Sequence, residues 1–380
     1  MYKIMTAGPV QVRENVRMAR SLPCTNPDID SEFYDFYKET CDLLSRTLGT
    51  ENRAFILGGE GILGLEAACA SLTEPGDRVL VIDNGVFGKG FADFVKIYGG
   101  EPVLYTTDYR NPVNPEGLEE YLKNDSNFKY ATMIHCDTPS GIINDVTTLS
   151  QILDNYGIMT VVDSVAGMFG QFLDCKNAKF DILCGGSQKA LSAPPGLTMV
   201  WVSDQAFRSM EERQTPIAAF YANLLAYKDY YENQWFPYTM PISDIKGLRQ
   251  ALDNFLADKD VYDRHAKIAA STREALIQGG LKLYLESGYS NTVTVLEVPA
   301  GITDTELLLG MEKDYNIMIS GCFDILAGKV VRLGHMGENA NEEDMAETLH
   351  ALQGTLAKHG IPTSCDLAEV FKKCCSEYKY

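Results

Sequence analysis

The chain has 380 residues, with 52 acidic against 33 basic side chains and a formal charge of −19. That balance excludes a general binder of nucleic-acid backbones, which needs clustered Lys and Arg. No stretch is apolar for long enough to cross a membrane or to act as a secretory signal, so a cytoplasmic protein is expected.

The length accommodates two domains or one large α/β unit with an appendage. Ten cysteines are scattered without C-x-x-C spacing, a usage that suits a reducing compartment. Cys69, Cys136 and Cys184 sit in apolar runs as small hydrophobes, whereas Cys374 and Cys375 in the polar tail are expected to be exposed.

In chain order, strand-like apolar runs are Ala54-Phe55-Ile56-Leu57, Val79-Leu80-Val81-Ile82, Ala131-Thr132-Met133-Ile134-His135, Thr160-Val161-Val162, Ile182-Leu183-Cys184 and Thr198-Met199-Val200-Trp201-Val202. Helical patterns separate them; Ile62, Leu65, Cys69 and Leu72, for example, share one helical face. Continuous rather than alternating apolar runs predict strands covered on both faces, hence a mostly parallel sheet between helices. Beyond residues 235–241 the spacing predicts one long helix over 244–279, strands near 292–298, 317–319 and 330–333, a helix over 341–359 and a helical tail. The expected division is an N-terminal segment (1–15), a large domain (16–245) and a smaller C-terminal α/β domain with a polar helical tail (246–380).

The ends of these strands carry the chemistry. Gly58-Gly59-Glu60-Gly61-Ile62 leaves a strand and opens a helix, where free backbone N–H groups and the helix dipole suit a phosphate, although glycine there also serves packing. Phe87 follows the second strand and either stacks on a planar ligand or anchors its loop. His135-Cys136-Asp137-Thr138-Pro139-Ser140-Gly141 is a polar cluster at a third strand end; His135 has no partner at metal-ligand spacing, so no metal site is expected. Thr160-Val161-Val162-Asp163 ends on a carboxylate, and Gly185-Gly186-Ser187-Gln188-Lys189 delivers a lysine beside an apolar run. Pyridoxal phosphate requires such a pair: the Asp holds the pyridinium nitrogen and the Lys forms the Schiff base.

Taken with Pro194-Pro195-Gly196 and Val331-Arg332-Leu333-Gly334-His335-Met336-Gly337, this order resembles the fold-type-I pyridoxal-phosphate enzymes, and within them the class-V aminotransferases of the alanine–glyoxylate and serine–pyruvate group. The resemblance runs from Ala7-Gly8-Pro9 to about Leu352. It implies a large domain with a mostly parallel seven-stranded sheet, a smaller C-terminal domain, and a homodimer with shared active sites.

It also implies site residues, with pyridoxal 5′-phosphate as cofactor. Lys189 is the Schiff-base lysine and proton shuttle, and Asp163, followed by Val165, keeps the ring nitrogen protonated. Phe87 stacks on the ring, Thr138 lies near its phenolic oxygen, and Glu60, Gly61, Ile62 and Gln188 surround the phosphate. Thr239 reaches the neighbouring subunit's cofactor, Arg332 clamps the substrate carboxylate, and Gly8 brings the N-terminal segment to the substrate pocket.

Two positions depart from that family. Glu60 stands where relatives carry Ser or Thr, and a carboxylate repels a phosphate dianion unless it turns away or is neutralised. Phe236 replaces a tyrosine hydroxyl. The expected reaction is transamination between alanine or serine and glyoxylate or pyruvate. Ureidoglycine–glyoxylate transamination and a lyase such as a cysteine desulfurase, with Cys322 as its thiol, are alternatives. A non-catalytic binding protein would need neither Lys189 nor Arg332.

Overall fold

The computed structural model describes residues 2–379. Seven strands form the central sheet: β1 (Arg53–Gly58), β2 (Arg78–Asp83), β3 (Glu101–Thr106), β4 (Tyr130–Ile134), β5 (Met159–Asp163), β6 (Ile182–Gly186) and β7 (Leu197–Val202). Their spatial order is β1-β7-β6-β5-β4-β2-β3. Only β7 runs antiparallel to its neighbours. Every residue of β4 to β7 is buried, which is why those runs read as unbroken apolar segments.

The strand absent from the sequence reading is β3. It lies at the sheet edge, is partly exposed along its length and contains Pro102, so neither apolar continuity nor strand propensity marks it. After β3 the chain returns across β2 to β4 and then continues outward through β5 and β6. The carboxyl ends of β2 and β4 therefore flank the crevice where ligands of open parallel sheets gather.

The helix expected over 244–279 is two helices, Ile242–Ala257 and Val261–Gln278. The break falls at Asp258, whose carboxylate accepts from the Asp260 N–H at 3.3 Å and pairs with Arg264 at 2.5 Å. Such local side-chain bonding offers the backbone an alternative to the helix ladder. Ile245, Leu248 and Leu252 join the large apolar cluster around the sheet, whereas Ile268, Ala275 and Leu276 join a second cluster with Leu296, Leu333 and Leu349.

The tail forms the helix Leu367–Glu377, and here the expectation of two exposed cysteines is wrong. Leu367, Phe371 and Cys375 are spaced four apart, so they share one helix face; that face is buried in the second cluster, and Cys374 is half-buried. At the other end, Lys3–Ile4 pairs in parallel with Ile317–Met318, and the Gly334 N–H donates to the Met5 carbonyl at 2.9 Å. Two short stretches of backbone pairing thus lead the chain to Ala7 and Gly8. No helix among the described residues is long and apolar enough to cross a membrane.

Candidate active site

The carboxyl ends of β1, β2, β4, β5 and β6 converge on a cavity of about 220 Å³. All the predicted site residues except Thr239 and Arg332 line it: Gly8, Glu60, Gly61, Ile62, Phe87, Thr138, Asp163, Val165, Gln188 and Lys189. Leu65, Cys136 and Ala166 complete the lining.

Lys189 enters from the turn after β6. That turn is fixed by Ser187, whose hydroxyl donates to the Pro194 carbonyl at 2.7 Å while its own carbonyl accepts from Ala193. The Lys189 Nζ donates to the Ala7 carbonyl at 2.7 Å. Gly8 permits this approach: its φ is +96°, and a Cβ there would lie 2.4 Å from Lys189 Cδ. Burial and then the nearby Arg332 charge pull the amine down to about 8, so a neutral, nucleophilic form is accessible near neutral pH.

Asp163 ends β5 with its carboxylate buried, accepting the Val165 N–H at 2.8 Å. Burial pushes its carboxyl up to about 7. A cationic ring nitrogen placed beside it would supply the opposite charge that burial withholds, restoring the carboxylate form. Beside Val165, Gly61 lets the following helix begin close to the sheet, since a Cβ there would lie 2.8 Å from a Val165 methyl. His135 is buried and satisfied: it bonds Ser164 Oγ at 2.8 Å, and burial takes it down to about 4.

Phe87 is held by a residue outside the predicted set. The Asp137 carboxylate accepts the Phe87 N–H at 3.0 Å and the Ser140 hydroxyl at 2.8 Å, and so caps the helix Val86–Ile97. Asp137 and the lining residue Cys136 both lie in the strand-end cluster that the sequence marks as polar, so a signal for them existed. Thr138 is buried, and its hydroxyl makes no hydrogen bond to another described residue.

The phosphate turn holds a different arrangement from the one expected. The Glu60 carboxylate caps the helix Gly61–Leu72 by accepting the Ile62 N–H at 3.0 Å, and its second oxygen accepts the Gln188 side-chain amide at 3.0 Å. Gln188 Oε1 is left buried without a partner. The side-chain oxygens at the turn, those of Glu60 and Gln188 Oε1, are acceptors, and both the Gln188 amide and the Ile62 N–H are directed at the Glu60 carboxylate. Lys189, Asp163, Phe87 and Thr138 fit a pyridoxal ring, but Glu60 and Gln188 do not fit its 5′-phosphate. A hydroxyl can donate to these acceptors; a phosphate dianion cannot.

Arg332 lies on the strand Val330–Gly334 at the edge of the site, with Nε donating to the Gly321 carbonyl at 2.7 Å. Its guanidinium rests 5.6 Å from the Phe323 ring centroid, and that ring meets Phe87 edge-on at 5.7 Å. Nothing in the local sequence marks Phe323. Thr239 is exposed and donates to Asp28 at 2.8 Å, away from this chain's own cavity. Phe236 also lies elsewhere, buried and stacked on Tyr34 at 4.7 Å, beside Tyr37 and Tyr230.

The Aminotransferase class-V family model matches residues 31–321. The pyridoxamine–pyruvate transaminase of Mesorhizobium japonicum is 34% identical over 366 residues, covering 94% of this chain and 92% of that protein. The (S)-ureidoglycine–glyoxylate transaminase of Bacillus subtilis is 27% identical over 381 residues, covering 94% and 91%. A crystal structure of the pyridoxamine–pyruvate aminotransferase from Mesorhizobium loti superposes with a TM-score of 0.94 at 30% identity, covering 98% of this chain and 97% of that one. Members of the matched family are pyridoxal-phosphate-dependent, and their fold is the fold-type-I arrangement seen here. By sequence over most of its length and by fold over nearly all of it, this chain belongs to the class-V aminotransferases.

Proposed function

We propose that this aminotransferase moves the amino group of pyridoxamine, a ring without a 5′-phosphate, to a small 2-oxo acid such as pyruvate or glyoxylate. The observation that carries this reading is the Glu60 carboxylate seated as the helix cap in the phosphate turn and held there by Gln188. The relative named for pyridoxamine and pyruvate supports the same donor. Alanine or serine as donor with pyridoxal phosphate as resident cofactor, and ureidoglycine likewise, would need a dianion where Glu60 sits. In the pyridoxamine reading alanine is the product formed from pyruvate, and the donor in reverse. A lyase would draw on Cys322, but burial raises that thiol and its Sγ lies 3.7 Å from the Pro139 carbonyl.

When bound, the protonated pyridine ring accepts the electron pair left as the carbon bearing the nitrogen loses its proton. The chain's own residues do the rest. Asp163 keeps the ring nitrogen charged, and Phe87 and Val165 hold the ring plane. Arg332 fixes the oxo-acid carboxylate by its terminal nitrogens, since Nε is committed to Gly321. Lys189 as free amine removes the proton from the aminomethyl carbon and returns it to the former carbonyl carbon of the acid. The water released as the pyridoxamine nitrogen condenses with the oxo-acid carbonyl is taken up again when the bond between that nitrogen and the ring's side-chain carbon is hydrolysed. Pyridoxamine and pyruvate thus become pyridoxal and alanine, with no outside oxidant.

We also propose the homodimer and a reducing, cytoplasmic setting. Ile29, Phe220, Tyr221 and Trp235 are exposed, and Tyr221 meets Phe220 and stacks on Tyr238 next to Thr239; exposed apolar side chains of that kind suit a second copy. All ten cysteines are free thiols.

Mixing the purified protein with pyridoxamine and pyruvate and assaying products tests the function. Equimolar pyridoxal and alanine are expected, with pyridoxamine phosphate a poor donor. Tightly bound pyridoxal phosphate together with alanine–glyoxylate turnover, and no reaction of pyridoxamine, would overturn it.

A further inference from the structure

We propose that Phe323 is a specificity-determining residue that restricts the acceptor to a monocarboxylic 2-oxo acid with a short side chain. This rests on the transamination reading above. Phe323 is 42% exposed, yet its loop is anchored on three sides. Ser320 exchanges backbone hydrogen bonds with Arg332 at 3.2 and 2.7 Å, and its hydroxyl accepts the Ala7 N–H at 3.2 Å. The neighbouring Cys322 contacts the Pro139 carbonyl beside Thr138 at 3.7 Å. Clamp strand, N-terminal segment and polar strand-end turn therefore hold the ring where it is.

From there the ring lies under the Arg332 guanidinium at 5.6 Å and meets Phe87 edge-on. It thus touches both the group that would hold the carboxylate and the group that would hold the pyridine ring, at the margin of the cavity. The acid spans those two groups, so its side chain is confined by the Phe323 ring. With Nε bonded to Gly321 and Phe323 packed alongside, Arg332 keeps its terminal nitrogens for one carboxylate. A second carboxylate on the Phe323 side would meet an apolar phenyl ring with no hydrogen-bond donor.

Phe323→Ala and Phe323→Tyr, compared with the unaltered protein on pyruvate, 2-oxobutyrate and 2-oxopentanoate, provide the test. With Phe323→Ala the ratio of kcat/KM for the longer acids to that for pyruvate should rise about tenfold or more, the discrimination one methylene contributes in an apolar pocket. Phe323→Tyr should keep the original ratio. A uniform loss across all acids in Phe323→Ala would show that the ring only steadies Arg332 and would overturn the proposal, as would an unchanged ratio. Absence of pyridoxamine turnover in the unaltered protein would instead strike the proposed function. Calorimetric titration of pyruvate and 2-oxopentanoate into the unloaded proteins then decides the role of Phe323: relatively tighter binding of the longer acid to Phe323→Ala supports it, and no change in relative affinity rejects it.

Discussion

Gln188, the residue before Lys189, donates its side-chain amide to the Glu60 carboxylate across 3.0 Å. The contact ties the turn after β6 to the first turn of the helix that follows β1, and it places an anion where a phosphate-binding member of this family would leave room for one. Replacing Glu60 with serine removes that charge and frees the Ile62 N–H. Glu60→Ser should therefore improve binding of pyridoxal phosphate relative to pyridoxal by about tenfold or more, given the strength of close like-charge repulsion. Titrating both compounds by ring absorbance measures the ratio; no shift would remove Glu60 as the discriminating group.

Lys189→Ala should lower turnover by at least about 10²–10⁴-fold, the range for losing a positioned proton-transfer group. In the unaltered protein, capture of pyridoxal should accelerate as pH rises through about 8, where the buried amine sheds its proton. Stopped-flow absorbance across pH 6–10 follows this. A transition near the ordinary lysine value would contradict the enclosed site.

Asp163 links the site to stability. Its carboxyl is raised from 3.8 to about 7 in the folded, unloaded protein. Below the lower value it is protonated in both the folded and unfolded states. Between the two values the unfolded chain sheds a proton that the folded chain keeps, so stability is lost as pH rises, levelling off above about 7. Asp163→Asn does not titrate. The Tm of the unaltered protein should therefore fall relative to Asp163→Asn between pH 4 and 7, as scanning calorimetry can read.

Arg332→Ala removes a charge-assisted contact to the acid, worth roughly 1.5–3 kcal/mol, or about ten- to a hundredfold. The loss should appear chiefly as a raised KM for pyruvate, with the pyridoxamine KM little changed. Arg332→Lys should not restore it, because a point charge lacks the fork that can leave Nε on Gly321 and still present an edge to the substrate.

Much of the site is legible along the chain because parallel-sheet architecture sends every active strand end to one side. Glu60, Phe87, Thr138, Asp163 and Lys189 each follow an apolar run, and local chemistry identifies them before any contact is known. The break at Asp258 and the buried face holding Cys375 were not legible in that way. The first turns on side chains that bond locally instead of continuing the helix, and the second on which face of the tail finds a partner.

By itself the sequence determined the fold class and the lysine–aspartate pair, since strand burial and residue chemistry are local properties. Only the tertiary structure decided what those residues face. That Glu60 turns inward to hold Gln188, 128 positions away, that Lys189 rests on the Ala7 carbonyl, 182 positions away, and that Phe323 meets both Arg332 and the distant Phe87 are contacts made across the fold. Such contacts depend on how the turns and the N-terminal segment pack against one another, and no spacing along the chain encodes that distance.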